Sequence, residues 1–232
     1  MNNYNDIGIS RTLDWPRIQK LLTVGVFASV LHLIGDLILG WGVEDETLSG
    51  MLRMVSAYTS TSDGGLFAAA LLGLFGIVLE GLSYFGIYRL MTEHAPKHAH
   101  AYRAGIFGYL MFCACGFHVP ICALAFLMKH GLVEELLLQY LKYFIMPAFI
   151  LFWVFFVVLV VAQLRAFLQG CTPYPKWCWV FSLPVGMVIS MAFQFIGNHP
   201  FANAISCAWI AIGNLWMFGG LLVTMKIAKR QQ

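Results

Sequence analysis

The sequence predicts an all-α, polytopic membrane bundle with six transmembrane helices, and three observations predict it. Sixty per cent of the 232 residues are hydrophobic and only 11% are charged, against about 25% charged in a soluble domain. The apolar residues fall in blocks of the length, about 20 residues, that crosses a bilayer as a helix. These blocks are continuous and do not alternate with period two, which disfavours a β-barrel. A single membrane domain, residues 1–232, accounts for the whole chain.

The spans are expected at roughly 20–42, 65–91, 102–128, 138–167, 177–197 and 204–227. The first follows a polar stretch ending at Lys20 and has no small-residue cleavage site, so it reads as a retained span and not as a signal peptide. Gly25 with Ser29, Ala69 with Gly73, and Gly76 have the small-residue spacing that lets helices approach closely in lipid, and Gly219 and Gly220 extend it to the last span. Pro120, Pro147 and Pro184 fall inside spans three, four and five, where each is expected to kink its helix. The longest connection, 43–64, is polar and reads either as a cap over the bundle or as an ordinary solvated loop. Asn203 is placed to cap the last span.

Basic residues set the orientation. Arg11, Arg17, Lys20, Arg89, Lys97, Arg103, Arg165, Lys176, Lys226, Lys229 and Arg230 fall on one side; Arg53, Lys129 and Lys142 fall on the other. Both termini are therefore expected in the cytoplasm. Trp41, Trp177, Trp179 and Tyr174 flank spans as interfacial residues do. The net charge of +3 is dispersed over helix ends and forms no nucleic-acid-binding patch. Cys113, Cys115, Cys122 and Cys207 lie in apolar spans and Cys171 and Cys178 in a cytoplasmic connection, so no structural disulfide is expected.

The informative residues are the polar ones inside the spans. Asp36 lies in the apolar run 21–41, one helical turn after His32 and on the same face. A charge at the bilayer centre costs at least about 2.5–3.5 kcal/mol on insertion scales, so such residues mark function by default. Counting residues from the helix ends places His32, Glu80, His118 and Asn214 near the midplane and Asp36 a turn further out. Gln194 falls toward the outer end of span five, with Asn198 and His199 at its mouth. Five spans thus send polar groups to one depth.

Three roles compete for this cluster. His32, Asp36, His118 and His199 could hold a divalent metal such as zinc, whose catalytic sites keep one position open. His32, Asp36, Glu80 and His118 could perform acid–base chemistry, with Asn198, Asn214, Trp216 and Gln194 binding the substrate. Alternatively, His32–Asp36 and Glu80–Tyr84 are hydrogen-bonded pairs that only fix helix register. His94, His98 and His100 form a further histidine group in a short loop that reads mainly as a solvated connection. Trp209 and Trp216 read as lining for an apolar pocket or as core.

The stretches Ile34-Gly35-Asp36-Leu37-Ile38-Leu39 and Gly213-Asn214-Leu215-Trp216 resemble an uncharacterised family of bacterial six-span membrane proteins, for which no activity can be carried over. That resemblance implies a bacterial inner (plasma) membrane location. A fainter chemical likeness is to the emopamil-binding, sterol-isomerase-like proteins, with His32, Asp36, Glu80, Asn214 and Trp216 as counterparts. Here Asp stands in place of Glu, the Asn–Trp spacing is shorter and there are more spans.

The expected function is a membrane-embedded enzyme, an isomerase, cyclase or hydrolase, acting on a lipid or isoprenoid-like substrate in the outer half of the bundle. The expected partners are membrane lipids and a hydrophobic small molecule, with no nucleic acid. The alternatives are a small transporter or proton-coupled permease, and a non-catalytic lipid-binding membrane subunit. No internal repeat of the kind many transporters carry is evident, although a homodimer would supply a second half.

Overall fold

The computed structural model describes residues 13–230, and the elements described are helical. Arg11, counted above among the basic residues of one side, lies outside the described residues. Five helices are long and apolar enough to cross a membrane: α1 (Trp15–Leu39), α3 (Asp63–Met91), α4 (Pro96–Lys129), α5 (Glu134–Leu168) and α8 (Trp209–Lys229). Between them stand three shorter helices, α2 (Gly50–Ser56), α6 (Leu183–Met191) and α7 (Pro200–Cys207). Local chemistry starts these helices where it should. Asp14 Oδ1 accepts the Arg17 N–H and Ser62 Oγ accepts the Gly65 N–H, each closing an open helix N-terminus. Prolines occupy the first turns of α1, α4, α6 and α7, where no intrahelical N–H is needed.

Side chains face outward as a membrane protein requires. Phe27, Phe67, Phe144, Val188, Phe195 and Val223 are exposed, with Phe195 at 94% and Val223 at 82%. A surface this apolar favours lipid over water.

The long helices form a row of neighbours, α5 on α4, α4 on α3, α3 on α1 and α1 on α8, with α6 packed on the far side of α8. Helices α5 and α6, the two ends of this row, share no extensive contact, which leaves a seam between them. The turn Lys176–Phe181 bridges this seam at one end by packing on both α5 and α8. The seam is also narrowed inside the bundle, where Trp153 of α5 stacks on Trp209 of α8 with ring centres 5.4 Å apart.

The fifth apolar segment differs from the single helix expected over 177–197. It is a 3₁₀ turn (Lys176–Phe181), the nine-residue α6 and a second 3₁₀ turn (Ala192–Ile196). Pro184 stands in the first turn of α6, so it starts a helix and does not kink one. The segment nevertheless runs the depth of the bundle. Tyr174 packs against Trp15 at the start of α1, Gly186 meets Gly213 in α8, and Asn198 bonds the backbone of Glu44 beyond the end of α1.

Two interior prolines act through π-helix. Pro120 and Pro147 each stand two residues past a π-helical stretch, Leu110–His118 in α4 and Leu141–Ile145 in α5. A proline ring clashes with the carbonyl four residues back. Widening the preceding turns to i→i+5 bonding changes that geometry, and the Val119 N–H bonds the Ala114 carbonyl in this register.

The connection after α1 is a cap. It carries α2 and the 3₁₀ turn Ala57–Ser60, and it buries Leu52, Val55, Ala57 and Tyr58 against α4. Asn203 is not a helix cap. It lies within α7, whose N-terminal cap is His199, and its amide reaches Gly42 O and Asn198 Oδ1. Trp41, Trp177 and Trp179 are exposed, but Tyr174 is buried and donates to Leu221 O. Gly220 admits Phe181, whereas Gly219 faces open space and packs nothing closely. All six cysteines are free thiols.

Candidate functional site

Helices α1 and α3 set the site through one shared stripe. On α1, Gly25, Ser29, His32, Asp36 and Leu39 are buried at the three- and four-residue spacing of one helix face. On α3 the matching face carries Ala69, Gly73, Gly76, Glu80 and Tyr84. Glycines make the contact possible. A Cβ on Gly76 would strike the His32 backbone, and one on Gly73 would overlap the His118 imidazole. A Cβ on Gly35 would crowd the α3 backbone at Ala69 and Gly73. The small residues therefore bring the polar side chains of α1 within reach of α3 and leave a socket for the ring from α4.

The π-helical stretch of α4 presents two site residues at once. Tyr109 and His118 are nine residues apart, two and a half turns at about 3.6 residues per turn, which would set them on opposite faces. At the wider π pitch of about 4.4 residues per turn, nine residues make close to two turns. Both side chains consequently meet α3: Tyr109 at Glu80 and His118 at Ala69.

The result is a continuous polar network across four helices. The Tyr84 hydroxyl donates to Asn214 Oδ1 at 2.5 Å, Asn214 Nδ2 donates to the Tyr109 oxygen at 3.2 Å, and the Tyr109 hydroxyl donates to Glu80 Oε2 at 2.7 Å. His32 Nδ1 lies 3.1 Å from the same Glu80 oxygen. On its other side, His32 Nε2 lies 3.3 Å from Asp36 Oδ2, and His118 Nδ1 lies 3.7 Å from Asp36 Oδ1. His118 Nε2 is 3.1 Å from the Ala69 carbonyl. The two imidazoles stand edge to face with ring centres 5.6 Å apart. All of these side chains are buried, and Glu80 Oε1 has no hydrogen-bond partner.

Asp36, His32 and His118 also line a cavity of about 650 Å³. Apolar walls come from Phe117, Trp153, Met187, Met191 and Trp209. The far end, under the α2 cap, is polar, with Glu44, Arg53, Gln194, Asn198 and Asn203. Arg53 Nε pairs with Glu44 Oε2 at 2.9 Å. Glu44 and Asn198 exchange two hydrogen bonds, N–H to Oδ1 at 2.8 Å and Nδ2 to carbonyl at 2.9 Å, which strap the cap to the segment after α6. The cavity thus has a buried His–Asp floor, an apolar middle and a charged rim.

The structure brings together His32, Asp36, Glu80, His118 and Asn214 of the residues singled out by sequence. Gln194 and Asn198 join the cavity at its rim. His199 is exposed, its Nδ1 accepting the Phe201 N–H, apart from the His–Asp cluster. Trp216 lies outside the cavity, its indole N–H on Val180 O against Phe181. The expected Glu80–Tyr84 pair is replaced: Tyr109 takes Glu80 and Tyr84 takes Asn214. Among the described residues, the one group of three side chains placed to hold a metal is His32, Asp36 and His118. Of the histidines expected in a loop, His98 and His100 lie in the first turns of α4, where His98 meets Gln169 and His100 meets Arg103.

Sequence reasoning missed Tyr109, Arg53, Glu44 and Ser206 as site residues. Ser206 lines the cavity with a buried, unpartnered hydroxyl. Its small polar side chain in an apolar stretch was the available signal. Arg53 and Glu44 carried none beyond lying in the cap.

The chain belongs to the family of unknown function DUF6796, whose match covers residues 1–228. No curated protein and no solved structure matches it.

Proposed function

We propose that this protein is a membrane-embedded enzyme acting on an amphipathic lipid or isoprenoid-like substrate, with His32, Asp36 and His118 as its reactive centre. The observation that carries the reading is the gradient along one cavity, from buried His–Asp floor through aromatic and Met walls to the Arg53–Glu44 rim. A substrate with an apolar body fits the middle, its reactive polar group at the floor and a second polar group at the rim. Access is lateral, through the seam between α5 and α6. The segment 176–198 completes a sixth crossing, with both termini on the cytoplasmic side and the α2 cap on the other. In a bacterium this places the protein in the inner membrane.

A proton-coupled transporter is the second reading, favoured by the chain of polar groups running from Asp36 to Tyr84. Asn214 weighs against it. An amide whose oxygen accepts from Tyr84 and whose nitrogen donates to Tyr109 holds those groups in place but does not pass a proton between them.

Turnover of a lipid panel by protein in nanodiscs, with no ion gradient, tests the reading. Conversion by wild type, abolished in Asp36→Asn with the fold retained, is the expected result. Full turnover in Asp36→Asn, or proton-dependent uptake in vesicles with no conversion, contradicts it.

A further inference from the structure

We propose that His32 Nε2, a carboxylate oxygen of Asp36 and His118 Nδ1 form a three-ligand site for a divalent metal ion of the zinc class, with a fourth position open to the cavity. The proposal deepens the reading of this cluster as a reactive centre and rests on it only for what the ion does.

The argument begins with the outer partners of the two imidazoles. His32 Nδ1 faces Glu80 Oε2, which already accepts from Tyr109, so the ring nitrogen on that side is the N–H donor. His118 Nε2 faces a backbone carbonyl, which can only accept, so there too the ring carries its proton. Both rings then turn their remaining nitrogen, a lone pair in the neutral imidazole, toward the one Asp36 carboxylate. Three acceptors converge in a buried place, and only a cation between them makes that arrangement favourable.

A proton does this poorly. It can join His32 to Asp36, but His118 Nδ1 stands 3.7 Å from Asp36 Oδ1, beyond hydrogen-bonding distance. A metal ion fits better. With metal–ligand bonds of about 2.0–2.1 Å, a tetrahedral site has ligand–ligand edges of about 3.4 Å. His32 Nε2 lies 3.3 Å from Asp36 Oδ2 and His118 Nδ1 lies 3.7 Å from Asp36 Oδ1, and one ligand atom from each of the three residues lies within 4.8 Å of the others, so small side-chain shifts bring the set to such edges. A divalent ion would also bind Asp36 directly and stand one imidazole away from Glu80, the two acidic side chains buried here.

The surroundings have the form of a zinc site's outer shell, in which a ligating histidine donates its other N–H to a carboxylate or a backbone carbonyl. Here Glu80 and Ala69 O serve. Two imidazoles in a set of three ligands disfavour magnesium and calcium, which take oxygen ligands. A three-ligand zinc with an open position binds water or a substrate oxygen and polarises it as a Lewis acid, and that open position faces the cavity.

The test uses full-length protein in detergent, stripped by chelation and titrated with Zn²⁺ and Co²⁺. One equivalent per chain, with the intense visible absorption of four-coordinate cobalt, is expected. The signal should vanish in His118→Ala and in Asp36→Asn, weaken about 10–100-fold in Glu80→Gln, and persist in His199→Ala. Folded wild type that binds no stoichiometric ion, or cobalt binding indifferent to His118→Ala, overturns the proposal; the wild-type titration decides even if a variant fails to fold. Turnover without metal, still abolished by Asp36→Asn, removes the metal and leaves the reactive centre. Metal bound without turnover of any lipid does the reverse.

Discussion

The buried polar network has two halves that obey different rules. On the side away from the cavity, the hydrogen bonds run donor to acceptor in one direction, from Tyr84 through Asn214 and Tyr109 to Glu80. On the cavity side, His32 and His118 each turn a ring nitrogen toward Asp36, at 3.3 and 3.7 Å, and on the tautomers proposed above both of these nitrogens are acceptors. Polar groups that satisfy one another specify and rigidify a core. Groups held apart from complements of their own await something from outside. The contrast therefore divides one network into a scaffold and a centre: Glu80 belongs to the first and orients the second.

The largest expected effects fall on opposite properties in the two halves. Asp36→Asn should reduce turnover by about 10²–10⁴-fold, the range lost with an acid–base or equivalent reactive group. Its melting temperature should hold, because the new amide can donate to a facing imidazole nitrogen. Tyr109→Phe should cost about 1–3 kcal/mol of stability, since Glu80 loses a donor and Asn214 an acceptor, while turnover changes far less. Paired thermal-melt and turnover assays check both; a Tyr109→Phe variant that is fully stable but inactive would erase the division.

Two glycines sharpen the contrast next. Gly73→Ala places a methyl on the His118 ring and should cost about 1–3 kcal/mol by overpacking together with most of the activity or metal binding. Gly219→Ala meets nothing within 4 Å and should be neutral or slightly stabilising. Melting curves with metal titration of both variants make the comparison.

Much of this was legible in the sequence because lipid makes buried polar residues conspicuous. His32, Asp36, Glu80, His118 and Asn214 stood out as costly groups at one depth, and the i, i+4 spacing joined the first two. Tyr109 was not legible. Nine residues from His118, it belongs to the opposite face of an α-helix, and only the π-helical pitch turns it inward. Glu80–Tyr84 failed for a related reason: shared helix faces bring groups near, but partners on α4 and α8 took both. The rim was illegible because its bonds join Glu44 to Asn198 and Gly42 to Asn203 across most of the chain. The fifth segment misled because apolar composition gives length but not the 3₁₀ turns that shorten α6.

Smaller effects test the scaffold and the cap. Tyr84→Phe removes one hydrogen bond from Asn214 and should cost about 1 kcal/mol, with metal affinity unchanged, as calorimetry would report. On the cap, hydrogen bonds from the Thr47 hydroxyl and N–H hold the Asp45 carboxyl below its ordinary value. A lowered carboxyl contributes stability that is present above its unfolded-state pKa and is lost as pH falls through the folded one. Asp45→Asn should thus melt slightly below wild type at neutral pH, and the two should converge in strong acid.

The central claim is that both imidazoles turn bare nitrogens on Asp36, and nitrogen NMR of protein with ¹⁵N-labelled histidine reads this most directly, with His32→Gln and His118→Gln spectra assigning the two rings. The expected result is a proton on Nδ1 of His32 and on Nε2 of His118, with His32 Nε2 and His118 Nδ1 unprotonated and shifted when metal is added. A proton on His118 Nδ1 or on His32 Nε2 would mean that the cluster satisfies itself, and the distinction between scaffold and centre would fail.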